Sequence, residues 1–183
     1  WSYDRIYRTD MIKQPDVLMM LYLYNSSFSR SVKEVNYSYY QPRTIHESSL
    51  SPAIHSILAA ELDRMDEAVD LCGFATRLDL DNYNCNTREG LHITSIAMAW
   101  ANIVYGFAGL RSDGDRLSFA PHLPERWRRL SFSLTYKGRI LTVCMEPERT
   151  VIRLKSGVPM ALVLTAAWAV WALAKERKAR LAA

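Results

Sequence analysis

The sequence contains few cysteines, glycines and prolines for its length. Its 183 residues include three Cys, seven Gly and seven Pro, while 49% of the residues are hydrophobic and 23% are charged. This composition excludes collagen-like and low-complexity chains, as well as disorder along the whole chain. Three Cys are too few, and odd in number, for a disulfide scaffold, so we expect reduced thiols at Cys72, Cys85 and Cys144. The composition indicates a globular chain that forms one ordinary domain or part of a larger one.

Neither a secretion signal nor a full-length membrane span is evident in the sequence. The chain opens at Trp1, and its first apolar run follows a charged stretch, which is not the pattern of a signal peptide. Residues 160–174 are strongly apolar, but a spanning helix needs about 20 such residues. We therefore favour a final strand over Met160–Thr165 and a packed Ala/Trp-rich tail, with a membrane tether at residues 156–180 as the alternative. We expect a cytoplasmic protein, and the start at Trp1 suggests the continuation of a longer one.

Positive charge is concentrated at the C-terminal end of the chain. Residues 1–122 carry a formal charge of −4 and residues 123–183 carry +8, so the sequence predicts a boundary near Pro121–Pro124. A basic segment can bind nucleic acid or an anionic membrane. The sequence has neither the Cys/His spacing of a zinc finger nor an aromatic RNA-binding signature. We therefore interpret the basic residues as the solvated face of a small β domain and expect no nucleic-acid partner.

Apolar spacing predicts four helices in residues 1–122. The run after Asp10 is apolar nearly all round, which is typical of a buried helix. Ser51 and Pro52 predict a helix start, with Ser at the N-cap and Pro at the first helical position. The polar residues 25–44 and 79–92 are predicted to be long loops. The predicted helices cover Asp10–Tyr24, Ser51–Leu62, Arg64–Arg77 and Thr94–Phe107, the last with Ala97, Trp100, Ile103, Val104 and Phe107 buried.

The spacing changes to that of strands in the C-terminal part. Ser131–Tyr136 alternates polar and apolar residues, Arg139–Met145 is apolar and β-branched, and Lys137-Gly138 lies between them as a turn. This pattern predicts a β-hairpin, and Val151–Leu154 predicts a further strand. Helices in the first part and strands in the second indicate an α+β fold, not an alternating βαβ sheet.

Polar residues that are suited to binding cluster at the entrances of the predicted helices. Lys13 and Gln14 offer a charge and a two-way hydrogen bonder, which suits the hydroxyls of a sugar. His46, Ser48 and Ser49 precede a helix start, where free backbone N–H groups and the helix dipole favour an anion such as phosphate. Both clusters also have a structural explanation, namely a solvated helix start for the first and helix capping beside a packed histidine for the second.

A third polar cluster follows Gly90 on the second predicted loop. His92 can donate to a phosphate or fill a structural role, while Thr94 can bind a ligand or cap the following helix. Metal binding is not expected, because the four histidines lack close ligand spacing and no Cys pair accompanies them. A nucleophilic serine is not expected either, since the sequence lacks a G-x-S-x-G elbow.

Several short segments form a specific pattern when they are read together. They are Lys13–Val17, Tyr39–Pro52, Asp79–Asn82, Gly90–Ser95, Ala99-Trp100, Tyr105–Arg111 and Leu117–Pro124 with Trp127. In this order they resemble the C-terminal part of glycoside hydrolase family 65, which contains the inverting maltose, trehalose and kojibiose phosphorylases. The resemblance covers residues 5–157, and the segment around His46 is its longest and most specific part. Past Gly157 the similarity fades, so the apolar tail is left without an explanation.

The resemblance implies both a fold and a reaction. The fold is the last helices of an (α/α)6 barrel over residues 1–120, followed by a small β-sandwich domain over residues 121–183 with an atypical apolar and basic tail. The reaction is phosphorolysis of an α-glucosyl disaccharide of the maltose, trehalose or kojibiose type. Orthophosphate takes the place of the water and base of an inverting hydrolase, and the products are glucose 1-phosphate and a sugar. The resemblance implies no metal or organic cofactor.

The resemblance also gives roles to the polar clusters. Lys13 and Gln14 correspond to the glucose subsite at the bond that is cut. The residues that correspond to the orthophosphate site are His46, Ser48, Ser49, His92 and Thr94. The general-acid Glu belongs to a segment upstream of Lys13 in the family, so we assign no catalytic residue and expect the chain alone to be inactive.

Other interpretations remain open from the sequence. A hydrolase of the same family would use water, and the predicted anion site around His46 argues against it, because a water nucleophile needs no such site. A non-catalytic remnant or binding module is consistent with the expected lack of the acid. A partial barrel would also expose apolar faces at Met11–Leu23 and Ala97–Phe107, so we expect aggregation or a homo-oligomer.

Overall fold

The computed structural model describes residues 3–47, 50–113 and 116–165. Helices occupy the first part and strands the second, which agrees with the predicted mixture of helix and sheet. The helices are α1 (Tyr3–Ile6), α2 (Asp16–Leu23), α3 (Arg30–Tyr40), α4 (Ser51–Glu61), α5 (Met65–Arg77) and α6 (Ile93–Ala101). Helix α6 continues as a π-helical segment, Asn102–Phe107, and short 3₁₀ turns lie at Asn25–Ser27, Gln41–Arg43 and Thr87–Glu89.

Helix α4 lies at the centre of the helical part and is buried on almost every side. Every residue from Ser51 to Ala60 is buried, and the helix packs against α2, α3, α5, α6 and the π-helical segment. Ser56 donates its hydroxyl proton to the carbonyl of Ala68 in α5, over 2.7 Å. Gly106 of the π-helical segment lies against the backbone of Ile57. Because its neighbours enclose α4, the two ends of this helix have fixed positions in the fold.

Helices α4 and α6 begin at the same end of the helical part. Only residues 62–64 join α4 to α5, and such a short connection makes the two helices antiparallel. Ser95, near the start of α6, donates its hydroxyl proton over 2.6 Å to the carbonyl of Ala75, near the end of α5. Helix α6 is therefore antiparallel to α5 and runs in the same direction as α4.

The strands form a three-stranded antiparallel sheet and a two-stranded parallel pair. The sheet has the order β2 (Leu130–Tyr136), β3 (Arg139–Glu146) and β4 (Arg149–Ser156), and the pair joins β1 (Leu117–Phe119) to β5 (Leu162–Leu164). The predicted turn between β2 and β3 is present, with φ of 46° at Lys137 and 73° at Gly138. Two successive residues with positive φ match the right-handed twist of the flanking strands, which explains the tight hairpin.

The helical and strand parts meet around Gly109, which directly follows the π-helical segment and Ala108. Its φ is +58°, and a Cβ at this position would lie 1.9 Å from the carbonyl oxygen of Ala120. The Ala120 N–H donates to the Gly109 carbonyl over 3.1 Å, and the His122 N–H donates to the Phe107 carbonyl over 2.8 Å. The core continues across this junction, from the helices into the antiparallel sheet.

Helix α3 corrects the prediction of one long loop over residues 25–44. Ser29 caps the start of the helix, because its hydroxyl oxygen accepts a hydrogen bond from the Val32 N–H over 3.3 Å. Only Lys33 and Tyr37 are buried on this helix. Its buried stripe contains a lysine and a tyrosine and is therefore too narrow and too polar to produce an apolar pattern in the sequence.

Helices α2 and α6 differ in part from the predictions. Helix α2 begins at Asp16, later than predicted, because Pro15 disfavours a helical conformation in the residue that precedes it. Ala97 and Trp100 of α6 are exposed, whereas the pattern predicted them to be buried; 53% of Trp100 is accessible. Leu23 of α2 is also exposed. These uncovered positions agree with the expectation that apolar helix faces lack neighbours.

The end of the described chain contains the predicted final strand in a shorter form. Strand β5 lies within the predicted range Met160–Thr165. The rest of the apolar and basic tail, residues 166–183, lies outside the described residues. Over the three described ranges, each helix is too short or too polar to cross a membrane.

Candidate functional site

Two of the predicted binding segments lie side by side. Ile12 pairs with the segment Arg43–Ile45 in a short parallel bridge. The Ile12 N–H donates to the Arg43 carbonyl over 2.8 Å, and the Ile12 carbonyl accepts from the Ile45 N–H over 3.0 Å. Lys13 follows one side of this bridge and His46 follows the other. The backbone at the predicted sugar segment is therefore held next to the backbone at the predicted phosphate segment.

An ion pair supports the same bridge. Arg43 donates from Nε to Oδ2 of Asp10 over 2.7 Å and from Nη1 to the Tyr39 carbonyl over 2.8 Å. Lys13 is half-buried and Gln14 is exposed, and both lie just before the start of α2. The structure thus places them at a helix entrance, as expected, and their contact with a sugar stays a prediction.

His46 is held by the first turn of α4. Its φ is +51°, which is uncommon for a residue with a side chain. Its Nδ1 lies 3.1 Å from Oγ of Ser51, and its ring packs edge-to-face on His55 with 4.7 Å between the centroids. Ser51 is the first residue of α4 and Leu50 is the N-cap, so the predicted start was wrong by one residue. Pro52 is tolerated one position later because N–H groups of the first turn have no partner within the helix.

His55 is fully buried one turn into α4. Its Nδ1 lies 2.7 Å from the Ser51 carbonyl and therefore carries the proton, because a carbonyl oxygen only accepts. Burial lowers the pKa of His55 to about 4, and the neighbouring His46 adds to this shift. Burial also lowers the pKa of His46. Both rings are therefore predominantly neutral at pH 7.

The predicted phosphate residues Ser48 and Ser49 lie outside the described residues. They belong to the segment that leads into α4, an eleven-residue helix that begins at Ser51 and has Pro52 as its second residue. The dipole of such a helix favours an anion at its N-terminus. A phosphate site formed by this segment stays a prediction that the position of His46 supports.

His92 is held by a carboxylate on the loop between α5 and α6. The Asp79 carboxylate accepts from the His92 backbone N–H over 2.8 Å, and its other oxygen lies 2.5 Å from Nδ1 of the ring. The hydrogen bond from His92 lowers the pKa of Asp79, so the carboxylate is ionised at neutral pH. Nε2 of His92 lies 3.5 Å from Nδ2 of Asn86. Sequence reasoning did not identify Asp79 as the partner, because no local pattern connects two residues on a long loop.

The other predicted residue of this segment, Thr94, is the second residue of α6 and is exposed. The next residue, Ser95, is buried and joins α6 to α5 through its hydroxyl group. His92 and Thr94 lie at the start of α6, and this is the end of the helical part at which α4 also begins. The two predicted phosphate segments therefore share one end of the helical part, and their joint contact with one anion stays a prediction.

Glu61 lies at the opposite end of α4, among cations. Its carboxylate accepts from Lys33 over 2.5 Å, from Arg111 over 2.8 Å and from the amide of Asn25 over 2.9 Å. Burial alone would raise the pKa of Glu61, but Arg111 and Lys33 outweigh burial and lower it below the ordinary value. An ionised carboxylate in such a network stabilises the fold and is unsuited to donate a proton. Within the described ranges, no group of three or more His, Cys, Asp or Glu is arranged to hold a metal ion.

The chain is similar to proteins of one family along most of its length. The model "Glycosyl hydrolase family 65 central catalytic domain" matches residues 1–101, and the model of the family's C-terminal domain matches residues 110–165. The maltose phosphorylase of Bacillus subtilis strain 168 is 48% identical over 160 residues, which are 87% of this chain and 21% of that protein. The α,α-trehalose phosphorylase of Thermoanaerobacter brockii is 43% identical over 162 residues, which are 88% of this chain and 21% of that protein.

A solved structure is similar in fold as well. It is provisionally assigned as a kojibiose phosphorylase from the human microbiome and is 51% identical, with a TM-score of 0.83 over 90% of this chain and 24% of that chain. The chain spans about a fifth of the length of the curated relatives it matches. Because the model of the catalytic domain alone matches more than half of the residues, the chain belongs to glycosyl hydrolase family 65.

Proposed function

We propose that the chain is part of an inverting disaccharide phosphorylase. The proposed reaction cleaves an α-glucosyl disaccharide of the maltose, trehalose or kojibiose type with orthophosphate and gives glucose 1-phosphate and a sugar. Similar proteins are a maltose phosphorylase, an α,α-trehalose phosphorylase and a kojibiose phosphorylase. Their shared chemistry supports the reaction class, and their different substrates are the reason to propose a type of disaccharide instead of one sugar.

The observation that carries this proposal is the bridge made by Ile12. In phosphorolysis, an oxygen of the phosphate must approach the anomeric carbon of the sugar, so the two binding segments have to be neighbours. Lys13 and Gln14, proposed for the glucose subsite, follow Ile12 directly. His46, proposed for the phosphate, follows the residues to which Ile12 is hydrogen-bonded. This adjacency, between segments more than 30 residues apart in sequence, supports a combined site for sugar and phosphate.

The proposed phosphate site uses a neutral donor together with a helix start. His46 is neutral at pH 7 and offers one N–H group to an oxygen of orthophosphate. The start of α4 adds the positive end of a helix dipole, which favours an anion. Ser48, Ser49, His92 and Thr94 complete the proposed site. Such an arrangement favours orthophosphate over water as the nucleophile, which distinguishes the phosphorylase from a hydrolase of the same family.

In the proposed reaction, a bond to phosphate replaces the glycosidic bond at the anomeric carbon. A phosphate oxygen forms a bond to this carbon from the face opposite to the leaving oxygen, while the glycosidic C–O bond breaks. A carboxylic acid donates its proton to the leaving oxygen. We assign this acid to no residue of the chain, and the resemblance places it before Lys13 in longer family members. Because phosphate itself is the nucleophile, we propose that the reaction needs no metal or organic cofactor.

The same proposal covers the architecture. We propose that residues 1–120 contribute the last helices of an (α/α)6 barrel and that residues 121–183 form a small β-sandwich domain. The parallel direction of α4 and α6, with α5 antiparallel between them, supports a barrel in which helices alternate in direction. The start of α4 would then open at the same rim as the loop of His92.

Titration calorimetry with inorganic phosphate tests the proposed function. We expect saturable binding by the wild-type chain and its loss in His46→Ala. His122→Ala is a matched control, because this half-buried ring pairs with Asp63 over 3.0 Å, beyond the far end of α4. Folding of each variant is checked by circular dichroism. A folded wild-type chain that does not bind, or binding that persists in His46→Ala, would contradict the proposal.

A second experiment distinguishes phosphorolysis from hydrolysis. The chain is joined to the remaining sequence of the similar maltose phosphorylase, and disaccharide cleavage is followed with and without phosphate. We expect cleavage only with phosphate, and its loss when His46 is replaced by alanine. Cleavage that proceeds equally well in phosphate-free buffer would favour the family hydrolase.

A further inference from the structure

We propose that Ser51 and His55 are positioning residues for His46, and that they fix its ring so that Nε2–H is the group presented to an anion. The inference rests on the proposed function for the identity of that anion. Its geometrical part concerns only the three side chains and can be tested separately.

Two contacts fix the orientation of the His46 ring. Oγ of Ser51 lies 3.1 Å from Nδ1, which restricts rotation of the ring about its Cβ–Cγ bond. The ring of His55 packs against it at 79° with 4.7 Å between the centroids, which fixes the tilt. With Nδ1 engaged by Ser51, Nε2 is the nitrogen that is left to meet a ligand.

The proton of the neutral His46 ring has to lie on the nitrogen that faces the anion. Phosphate oxygens that carry negative charge accept hydrogen bonds, so the nitrogen that faces them has to be protonated. A neutral imidazole has one N–H group, and a proton on Nε2 leaves Nδ1 as an acceptor. The Ser51 hydroxyl group must then donate to Nδ1. Ser51 therefore selects the tautomer of His46 in addition to holding the ring.

His55 in turn fixes Ser51. Its Nδ1–H donates to the Ser51 carbonyl over 2.7 Å, and both residues are completely inaccessible to solvent. Tyr37 packs on His55 from α3, with 5.9 Å between the ring centroids. The rings of Tyr37, His55 and His46 thus form a continuous row that leads from the buried side of α3 to the start of α4. The buried ring of His55 therefore supports the orientation of His46, the histidine that a ligand can reach.

The test reads the tautomer directly. Long-range ¹H–¹⁵N correlation spectra of the histidine rings at neutral pH distinguish a protonated nitrogen from an unprotonated one. We expect His46 in the wild-type chain to carry its proton on Nε2, and Ser51→Ala to shift it to a mixture of both tautomers. Ser56→Ala is the matched control, because Ser56 is an equally buried serine of the same helix whose hydroxyl bonds to Ala68 instead. Ser51→Thr restores the hydroxyl group and should restore the Nε2–H signal.

Phosphate titration of the same variants separates this inference from the proposed function. We expect Ser51→Ala to weaken binding about tenfold, as the loss of an oriented hydrogen bond to an anion implies, and Ser56→Ala to leave it unchanged. A proton on Nδ1 of His46 in the wild-type chain, or an Nε2–H signal that survives Ser51→Ala, would overturn the inference even if phosphate binds. An Nε2–H signal that depends on Ser51, in a chain that does not bind phosphate, would support the positioning role and refute the proposed function.

Discussion

An alanine at position 109 should strongly destabilise the junction between the helical and strand parts. A φ of +58° costs a residue with a side chain about 1–2 kcal/mol relative to glycine. The added Cβ would also lie 1.9 Å from the Ala120 carbonyl oxygen, so the backbone of residue 120 has to move. This movement breaks a backbone hydrogen bond worth about 1 kcal/mol, and overpacking adds about 1–3 kcal/mol. We therefore expect Gly109→Ala to lower the free energy of unfolding by about 3–6 kcal/mol.

Urea unfolding followed by tryptophan fluorescence measures this loss. Gly138→Ala is the matched control, because Gly138 has a φ of +73° but no atom within 4 Å of a Cβ placed there. The free energy of unfolding of Gly138→Ala should fall only by the conformational cost of about 1–2 kcal/mol. The difference between the two variants then isolates the contact with Ala120. Equal losses in both variants would refute the reasoning that this contact requires glycine.

Three other changes test the burial and charge of particular side chains. The free energy of unfolding should fall by up to about 3 kcal/mol as the pH falls from 6.5 to 4. The reason is that His55 in the unfolded chain binds a proton near its ordinary pKa of 6.5, whereas the folded ring does so only near a pKa of 4. In urea unfolding at a series of pH values, His55→Phe should reduce this pH dependence. Lys33→Met should lower the free energy of unfolding by about 1–3 kcal/mol in the same assay, because Glu61 then loses one of its hydrogen-bonded cations. Adding Glu61→Gln should recover part of the loss. Ile96→Asp should reduce self-association in light scattering, whereas Val158→Asp, at an exposed apolar position of the strand part, should not. A monomeric wild-type chain would contradict the expected association.

The elements that could be predicted from the sequence are those with strong local signals. The helix at Ser51 and the hairpin at Lys137-Gly138 have apolar periodicity, a proline or a turn pair at the expected positions, and the structure contains both. Helix α3 could not be predicted in the same way. Its buried face is formed by Lys33 and Tyr37, and Lys33 is buried only because Glu61, which is distant in sequence, neutralises its charge. Burial that depends on a tertiary ion pair leaves no periodic apolar pattern.

In the candidate site, too, the local features could be predicted from the sequence and the long-range contacts could not. The polar segments at Lys13 and His46 could be identified from residue type and from the resemblance to the family. Their partners could not, because the contacts that organise them are long-range or involve the backbone. Ile12 pairs with residues more than 30 positions away, and Asp79 reaches His92 across a loop. His55 is hidden for another reason, since a histidine within an apolar helix has the same local sequence whether it is structural or positions a ligand-binding residue.

The charged groups at the two ends of α4 can be related to the dipole of this helix. The N-terminus of a helix carries a partial positive charge and its C-terminus a partial negative charge. Cations gather at the C-terminal end, where Arg30 donates to the Glu61 carbonyl over 2.9 Å and Lys33 neutralises the Glu61 side chain. At the N-terminal end His46 and His55 are neutral, so these rings add no charge to the positive end of the helix dipole. An anion bound beside His46 would add negative charge at the end of the helix where the dipole favours it.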